Sequence, residues 1–206
     1  MATSLERLKS GYTNGGRSVA QGMMSRFRSV PFTPNQMTVT GFLLNVVAAV
    51  LLVEQHFVWA TVAFIAGSVI DALDGAVARA HGKMTPFGGF LDSTLDRMSE
   101  GVVLGAIALV FADRDEMVAL ACVFVALVGS FLISYTRAKA EALGLKGDVG
   151  LMARLERIVV LAIAMPFAGL GWPLEAVIYL LAATTAFTVL QRMYSIKKQL
   201  ESIQEG

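Results

Sequence analysis

Cysteine is almost absent from this chain: among 206 residues the sole example is Cys122. One thiol can neither close an intramolecular disulfide nor build a thiolate metal centre, and Cys122, inside an apolar run, reads as a small buried hydrophobe. Histidine is nearly as scarce, with His56 and His81 alone, which argues against zinc. Charge is thin as well: Asp, Glu, Lys and Arg make up 16% of the residues against 55% hydrophobic ones, and mean hydropathy is +0.63. A chain of this composition lies outside the range of ordinary water-soluble domains and is expected in lipid. The first 36 residues hold no apolar run of spanning length with a cleavage site after it, so no signal peptide is expected. No internal repeat and no long polar linker divides the chain, and nothing in its charge pattern points to nucleic acid.

What the sequence does hold is a series of six apolar runs, near residues 37–54, 57–80, 92–112, 116–138, 156–172 and 174–191. Each approaches the roughly 20 residues that cross a hydrocarbon core about 30 Å thick. The basic residues test the count. Sixteen of the 17 Lys and Arg residues precede the first run, flank the second and fourth connections or follow the sixth run; Arg114 alone lies in the remaining connections. Positive charge stays cytoplasmic, so both termini are expected in the cytoplasm and the number of spans is even. The expected fold is an all-α integral membrane protein with six transmembrane helices, forming one domain over 35–206. Before it, residues 1–34 carry Val19, Met23 and Phe27 at helical spacing with Arg17, Arg26 and Arg28 between them, the pattern of an amphipathic helix lying in the headgroup layer.

Four aspartates contradict the oily background. Asp71 and Asp74 lie three apart at the end of the second run, and Asp92 and Asp96 four apart at the start of the third, so each pair shares a helical face. An ionised carboxylate near the membrane core costs about 2.5 to 3.5 kcal/mol even on the lenient insertion scale, so four uncompensated ones approach about 10 kcal/mol. Cationic compensation is required. Arg79 and Arg97 can supply part of it, but paired carboxylates around the glycine-rich connection "AHGKMTPFGG" suit a hard divalent cation such as Mg²⁺ or Mn²⁺. Glu100 continues the Asp92 and Asp96 face one turn deeper and reads equally as a group of that site or as a buried, hydrogen-bonded carboxyl. Gly101 and Gly105 permit close helix packing, within the chain or across a dimer.

The spacing from Asp71 to Asp96 fixes eight residues over 26 positions: Asp71, Asp74, Gly75, Ala78, Arg79, Gly88, Asp92 and Asp96. It resembles the signature of the CDP-alcohol phosphotransferases. The resemblance implies a six-helix membrane enzyme, usually a homodimer, in the bacterial cytoplasmic membrane with its active site facing the cytoplasm. Such an enzyme displaces CMP from a CDP-linked lipid with a second alcohol, using Mg²⁺, or Mn²⁺ in its place, with two ions per site. By position it implies Asp71, Asp74, Asp92 and Asp96 as metal ligands, Asp96 also as general base, and Gly75 and Arg79 as holding the CDP moiety. Asn35, Thr38 and Thr85 join the same site by weaker similarity.

The acceptor must be sought elsewhere. Arg137, Lys139, Arg154, Arg157 and Arg192 lie on the same side of the membrane as the aspartates, and Arg154 and Arg157 share a helical face. Guanidinium groups gathered there suit a phosphate. The stretch "ISYTRAKAEALGLKGDVGLMARLER" resembles phosphatidylinositol phosphate synthases, with Leu155 where proline is frequent in them. That likeness implies CDP-diacylglycerol and inositol 1-phosphate as substrates, and these five cations as the inositol phosphate pocket. Glycerol 3-phosphate as acceptor is the first alternative. Free inositol leaves the arginines without a partner, and a divalent-cation transporter requires carboxylates along a path through the membrane.

Overall fold

Thr33 starts the first described helix. In the computed structural model of the chain, which describes residues 32–82, 84–170 and 172–204, Thr33 Oγ1 accepts the Gln36 N–H at 3.3 Å while Gln36 Oε1 accepts the Thr33 N–H at 2.9 Å. With Pro34 in the first turn, this capping box satisfies donors that a helix start leaves open. The helices that follow are α1 (Pro34–Val53), α2 (Phe57–His81), α3 (Pro86–Asp113), α4 (Met117–Ala142), α5 (Arg154–Ala164) and α6 (Trp172–Gln204), with a 3₁₀ segment, Met165–Leu170, between the last two. No strand occurs among the described residues. The amphipathic helix expected over residues 1–34 lies almost wholly outside them.

The six apolar runs reappear as six helical elements, and four of these, α1, α2, α4 and α6, are long and apolar enough to cross a membrane. The third is long enough but carries Asp92, Asp96, Arg97 and Glu100 within its first 15 of 28 residues. The fifth differs from the sequence expectation of one helix over 156–172. Its α-helical part stops at Ala164 because Pro166 has no N–H to continue the ladder, and the backbone tightens into 3₁₀ geometry through Leu170. At about 1.5 and 2.0 Å per residue the two pieces together still reach roughly 28 Å.

Helix α1 packs on α2 and α3, α4 packs on α6 and α3, and α5 with the 3₁₀ segment sits between α2 and α6. Leu52, Ile107, Phe111, Met165, Leu174 and Ile178 are fully buried and belong to one continuous core. Outward, Leu43, Val50, Trp59, Val62, Phe124 and Leu190 are exposed, as expected of helices whose outer faces meet lipid.

Two glycines bring a pair of helices into direct backbone contact beside the aspartates. A Cβ on Gly41 would lie 2.9 Å from the Gly67 carbonyl oxygen, and one on Gly67 would lie 2.8 Å from that of Gly41. Backbone therefore touches backbone where α1 crosses α2, one turn from Thr38 and Asp71 in their respective helices. The second helix ends at Gly82 with φ +63°, a conformation that glycine adopts without steric cost. The chain then returns through Thr85, whose Oγ1 accepts the Gly88 N–H at 3.0 Å and opens α3.

Candidate active site

Asp71 and Asp74 occupy the last turns of α2, both only 6% exposed, and face Asp92 in the second turn of α3. One carboxylate oxygen from each of these three lies within 4.8 Å of the others. Three like charges so close demand a cation, and a donor set made of oxygen alone fits a hard divalent ion. Thr38 helps aim the group: its hydroxyl bonds to Asp74 Oδ2 across the α1–α2 contact.

Asp96, the fourth expected ligand, stands slightly apart. Its Oδ1 is buried without a hydrogen-bond partner. Arg154 links it to the others: its Nη1 donates to Asp71 Oδ2 at 2.7 Å and lies 2.7 Å from Asp96 Oδ1, the second contact being an ion pair without hydrogen-bond alignment. The guanidinium in direct contact with the aspartates thus arrives from α5, 83 residues beyond Asp71, while Arg97 favours the charge on Asp92 only through space. Arg97 turns back to the Ser93 carbonyl of its own helix.

On one side of the aspartates a cavity of about 220 Å³ is lined by Asn35, Thr38, Gly75, Arg79 and Thr85, together with Asp74, Asp92, Ala78 and Gly88. All five residues assigned to the nucleotide from sequence are therefore brought together. A Cβ on Gly75 would meet only Arg79 Nη1, at an ordinary 3.5 Å. No protein contact requires glycine there; what a side chain would fill is the cavity. Pro34, Met84 and Gly89 complete the wall and carry no chemical signature that would have singled them out in the sequence.

On the other side a second cavity, of about 190 Å³, is lined by Asp96, Arg97, Glu100, Ile133, Ser134, Arg137, Ala153, Arg154, Arg157 and Arg192. Five arginines face two carboxylates there, and four of the five cations expected to bind the acceptor are among them. Lys139 is exposed and is not part of this wall. Arg97 and Ser134 are, though neither was assigned to the acceptor. Arg192, 5% exposed, donates from Nε to the Val149 carbonyl at 2.9 Å and from Nη1 to that of Ile133, so part of its donor capacity ties the α4–α5 connection to α6. Gly147 of that connection lies on the backbone of Arg137, where a Cβ would come within 2.9 Å of its Cα. Glu100 is not grouped with the three clustered aspartates; it forms a hydrogen-bonded ion pair with Arg157.

A third, larger space of about 580 Å³ lies between α2 and α5, walled by Ile65, Val69, Ala72, Leu155, Ile158 and Val159, with Arg154 also in its lining. Arg154 therefore borders the aspartates, the cationic cavity and an apolar groove at once.

Comparison with known proteins agrees with this arrangement. An archaetidylinositol phosphate synthase from Pyrococcus horikoshii is 40% identical over 175 residues, which cover 84% of this chain and 88% of that one. A phosphatidylinositol phosphate synthase from Corynebacterium glutamicum is 39% identical over 166 residues, covering 78% and 76%. The crystal structure of Mycobacterium tuberculosis phosphatidylinositol phosphate synthase with CDP-DAG bound superimposes with a TM-score of 0.74 at 29% identity, over 87% of this chain and 92% of that one. The same enzyme in complex with manganese and citrate gives 0.73 at 30% identity, over 87% of each chain. The family described as CDP-alcohol phosphatidyltransferase matches residues 32–190. That match runs from the residue before the α1 cap through most of α6 and takes in both aspartate pairs: the chain belongs to the CDP-alcohol phosphatidyltransferase family.

Proposed function

We propose that this enzyme transfers the phosphatidyl group of CDP-diacylglycerol to inositol 1-phosphate, releasing CMP. The observation that carries the acceptor is the five-arginine cavity beside the aspartates, which suits a phosphorylated alcohol and would be idle with free inositol. The relatives point the same way. Their names differ in the lipid, archaetidyl or phosphatidyl, and share the inositol phosphate.

Asp71, Asp74, Asp92 and Asp96 would hold Mg²⁺, or Mn²⁺ in its place, as two ions that neutralise the diphosphate and the charge developing on it. The chain's own groups do the rest. Arg79, Asn35 and Thr85 border the first cavity and would receive the CDP moiety, with Gly75 leaving the approach open. The apolar groove between α2 and α5 would accommodate an acyl chain while the headgroup stays at the aspartates. Asp96, which lines the cationic cavity and whose buried Oδ1 is ion-paired with Arg154 but accepts no hydrogen bond, would take the proton from the acceptor hydroxyl. The hydroxyl oxygen then bonds to the lipid-side phosphorus, and the electron pair of the broken phosphoanhydride bond leaves with CMP. Six spans with both termini in the cytoplasm would put this chemistry at the inner face of the bacterial membrane, where the inositol phosphate arrives and CMP departs. A Cβ on Gly105 would touch nothing among the described residues, which leaves room there for the partner of a homodimer.

The test is CMP release from CDP-diacylglycerol in detergent with Mg²⁺, offering inositol 1-phosphate, glycerol 3-phosphate and inositol separately. Turnover is expected with the first, and it should stop under exhaustive chelation. Preference for glycerol 3-phosphate would replace the acceptor. Activity that survives chelation would refute the metal assignment.

A further inference from the structure

Helix α5 brings Arg154 and Arg157 to the acceptor cavity, yet it is only 11 residues long and no side chain caps its N-terminus. Something other than helix chemistry must hold its first turn in place. Arg154 is held by Asp71 and Asp96, which are themselves assigned to the divalent cation. Arg157 is held by a group outside that set. Its Nε donates to Glu100 Oε1 at 2.6 Å, its Nη2 to Glu100 Oε2 at 3.0 Å, and its Nη1 to the Met152 carbonyl at 3.1 Å. The guanidinium is 4% exposed and the carboxylate 11%. A two-pronged pair of this kind fixes the plane of the guanidinium as well as its position. Of its five N–H groups, one on each Nη remains.

We infer that Glu100 is a positioning residue of the acceptor site: it holds Arg157 in the wall of the cationic cavity independently of the metal-site aspartates. The inference rests on the cavity being the acceptor site, as proposed above. It assigns Glu100 a role distinct from that of the aspartates one and two turns before it on α3. It also predicts an effect opposite to that of simple charge. Removing a carboxylate from a cavity of five arginines would, by Coulomb attraction alone, tighten a phosphorylated acceptor. Removing the group that orients Arg157 weakens it. Glu100→Gln keeps the side chain's size but turns one of the two facing oxygens into an N–H₂ group, so half of the fork is lost.

The experiment uses the full-length protein in detergent, measuring CMP release with each substrate varied in turn. Glu100→Gln is expected to raise the KM for inositol 1-phosphate by about tenfold, the effect of losing one charge-assisted hydrogen bond, while the KM for CDP-diacylglycerol stays within about twofold. Glu100→Asp should fall between this variant and wild type. In an Arg157→Lys background Glu100→Gln should add little, because coupled residues are not additive. An acceptor KM that is unchanged or lowered in Glu100→Gln, or a Glu100→Gln effect of equal size in both backgrounds, overturns the inference. Should Glu100→Gln not yield folded protein, an unchanged acceptor KM in Glu100→Asp overturns it equally. Wild-type protein checks the underlying reading by itself: no CMP release with inositol 1-phosphate refutes that acceptor. Protection against heat by inorganic phosphate then decides the role of Glu100, since it should be lost in Glu100→Gln, and protection equal to wild type would refute that role.

Discussion

Asp96 and its neighbour Asp92 are alike in the sequence and unlike in their surroundings. Asp92 joins Asp71 and Asp74 in a group of close oxygens, whereas Asp96 lines the cationic cavity and keeps a buried oxygen without a hydrogen-bond partner. Of the four aspartates Asp96 is the one in that cavity's lining, which supports the proposal that it is the base. Asp96→Asn keeps the shape and removes the proton acceptor. Its turnover should fall by about 100-fold to 10,000-fold, the usual contribution of a general base, while CDP-diacylglycerol still protects the protein against thermal unfolding. Turnover at the wild-type rate would remove Asp96 from that role.

The crossing of α1 over α2 decides whether Thr38 reaches Asp74. Both helices carry apolar residues on their inner and outer faces alike, Ala48 and Val50 on α1, Ala60 and Val62 on α2, so hydrophobicity does not select the contact; the absence of side chains at Gly41 and Gly67 does, because it lets the two backbones meet. Gly41→Ala places a methyl group 2.9 Å from a carbonyl oxygen and 3.1 Å from Asp71 Cβ. Overpacking of this kind costs about 1 to 3 kcal/mol, and here the displaced helix carries Thr38 and Asn35 with it. The expected outcome is a lower melting temperature in detergent together with a raised KM for CDP-diacylglycerol. Unchanged values for both would mean that α1 can shift without disturbing the site.

The arrangement as a whole gathers the aspartates, both polar cavities and the mouth of the apolar groove toward one end of the bundle, leaving the fully buried Leu52, Phe111, Met165 and Leu174 in its core. For a reaction between a lipid and two water-soluble partners this division has a simple physical basis: charged groups leave the membrane at the nearest face, and acyl chains remain in it. The distribution of Lys and Arg supports the proposal that this face looks toward the cytoplasm. In a Cys122→Ala background, a cysteine at Asp115 should react with a membrane-impermeant thiol reagent added to intact cells, and one at Gly144 only after the cells are opened. The reverse pattern would invert the orientation, and labelling of both from outside would break the even count of spans.

Much of the site could be read in the chain because helical spacing is local: Asp71 with Asp74, and Asp92 with Asp96, share faces by their separation alone. The apolar runs, too, announced all six elements, since a hydrocarbon core imposes a length. The nucleotide residues Asn35, Thr38, Gly75, Arg79 and Thr85 followed from a spaced motif and its flanks, and all line one cavity. What no spacing could convey is which distant charges meet. Arg154 reaches Asp71 across 83 positions and Arg157 reaches Glu100 across 57, while Lys139, basic and close to Arg137 in sequence, is exposed and not part of the cavity wall. Partner choice among buried charges depends on which helices touch and how they are turned. That was decided by backbone contacts such as Gly41 on Gly67 and by the break at Pro166, through packing between segments far apart in the chain.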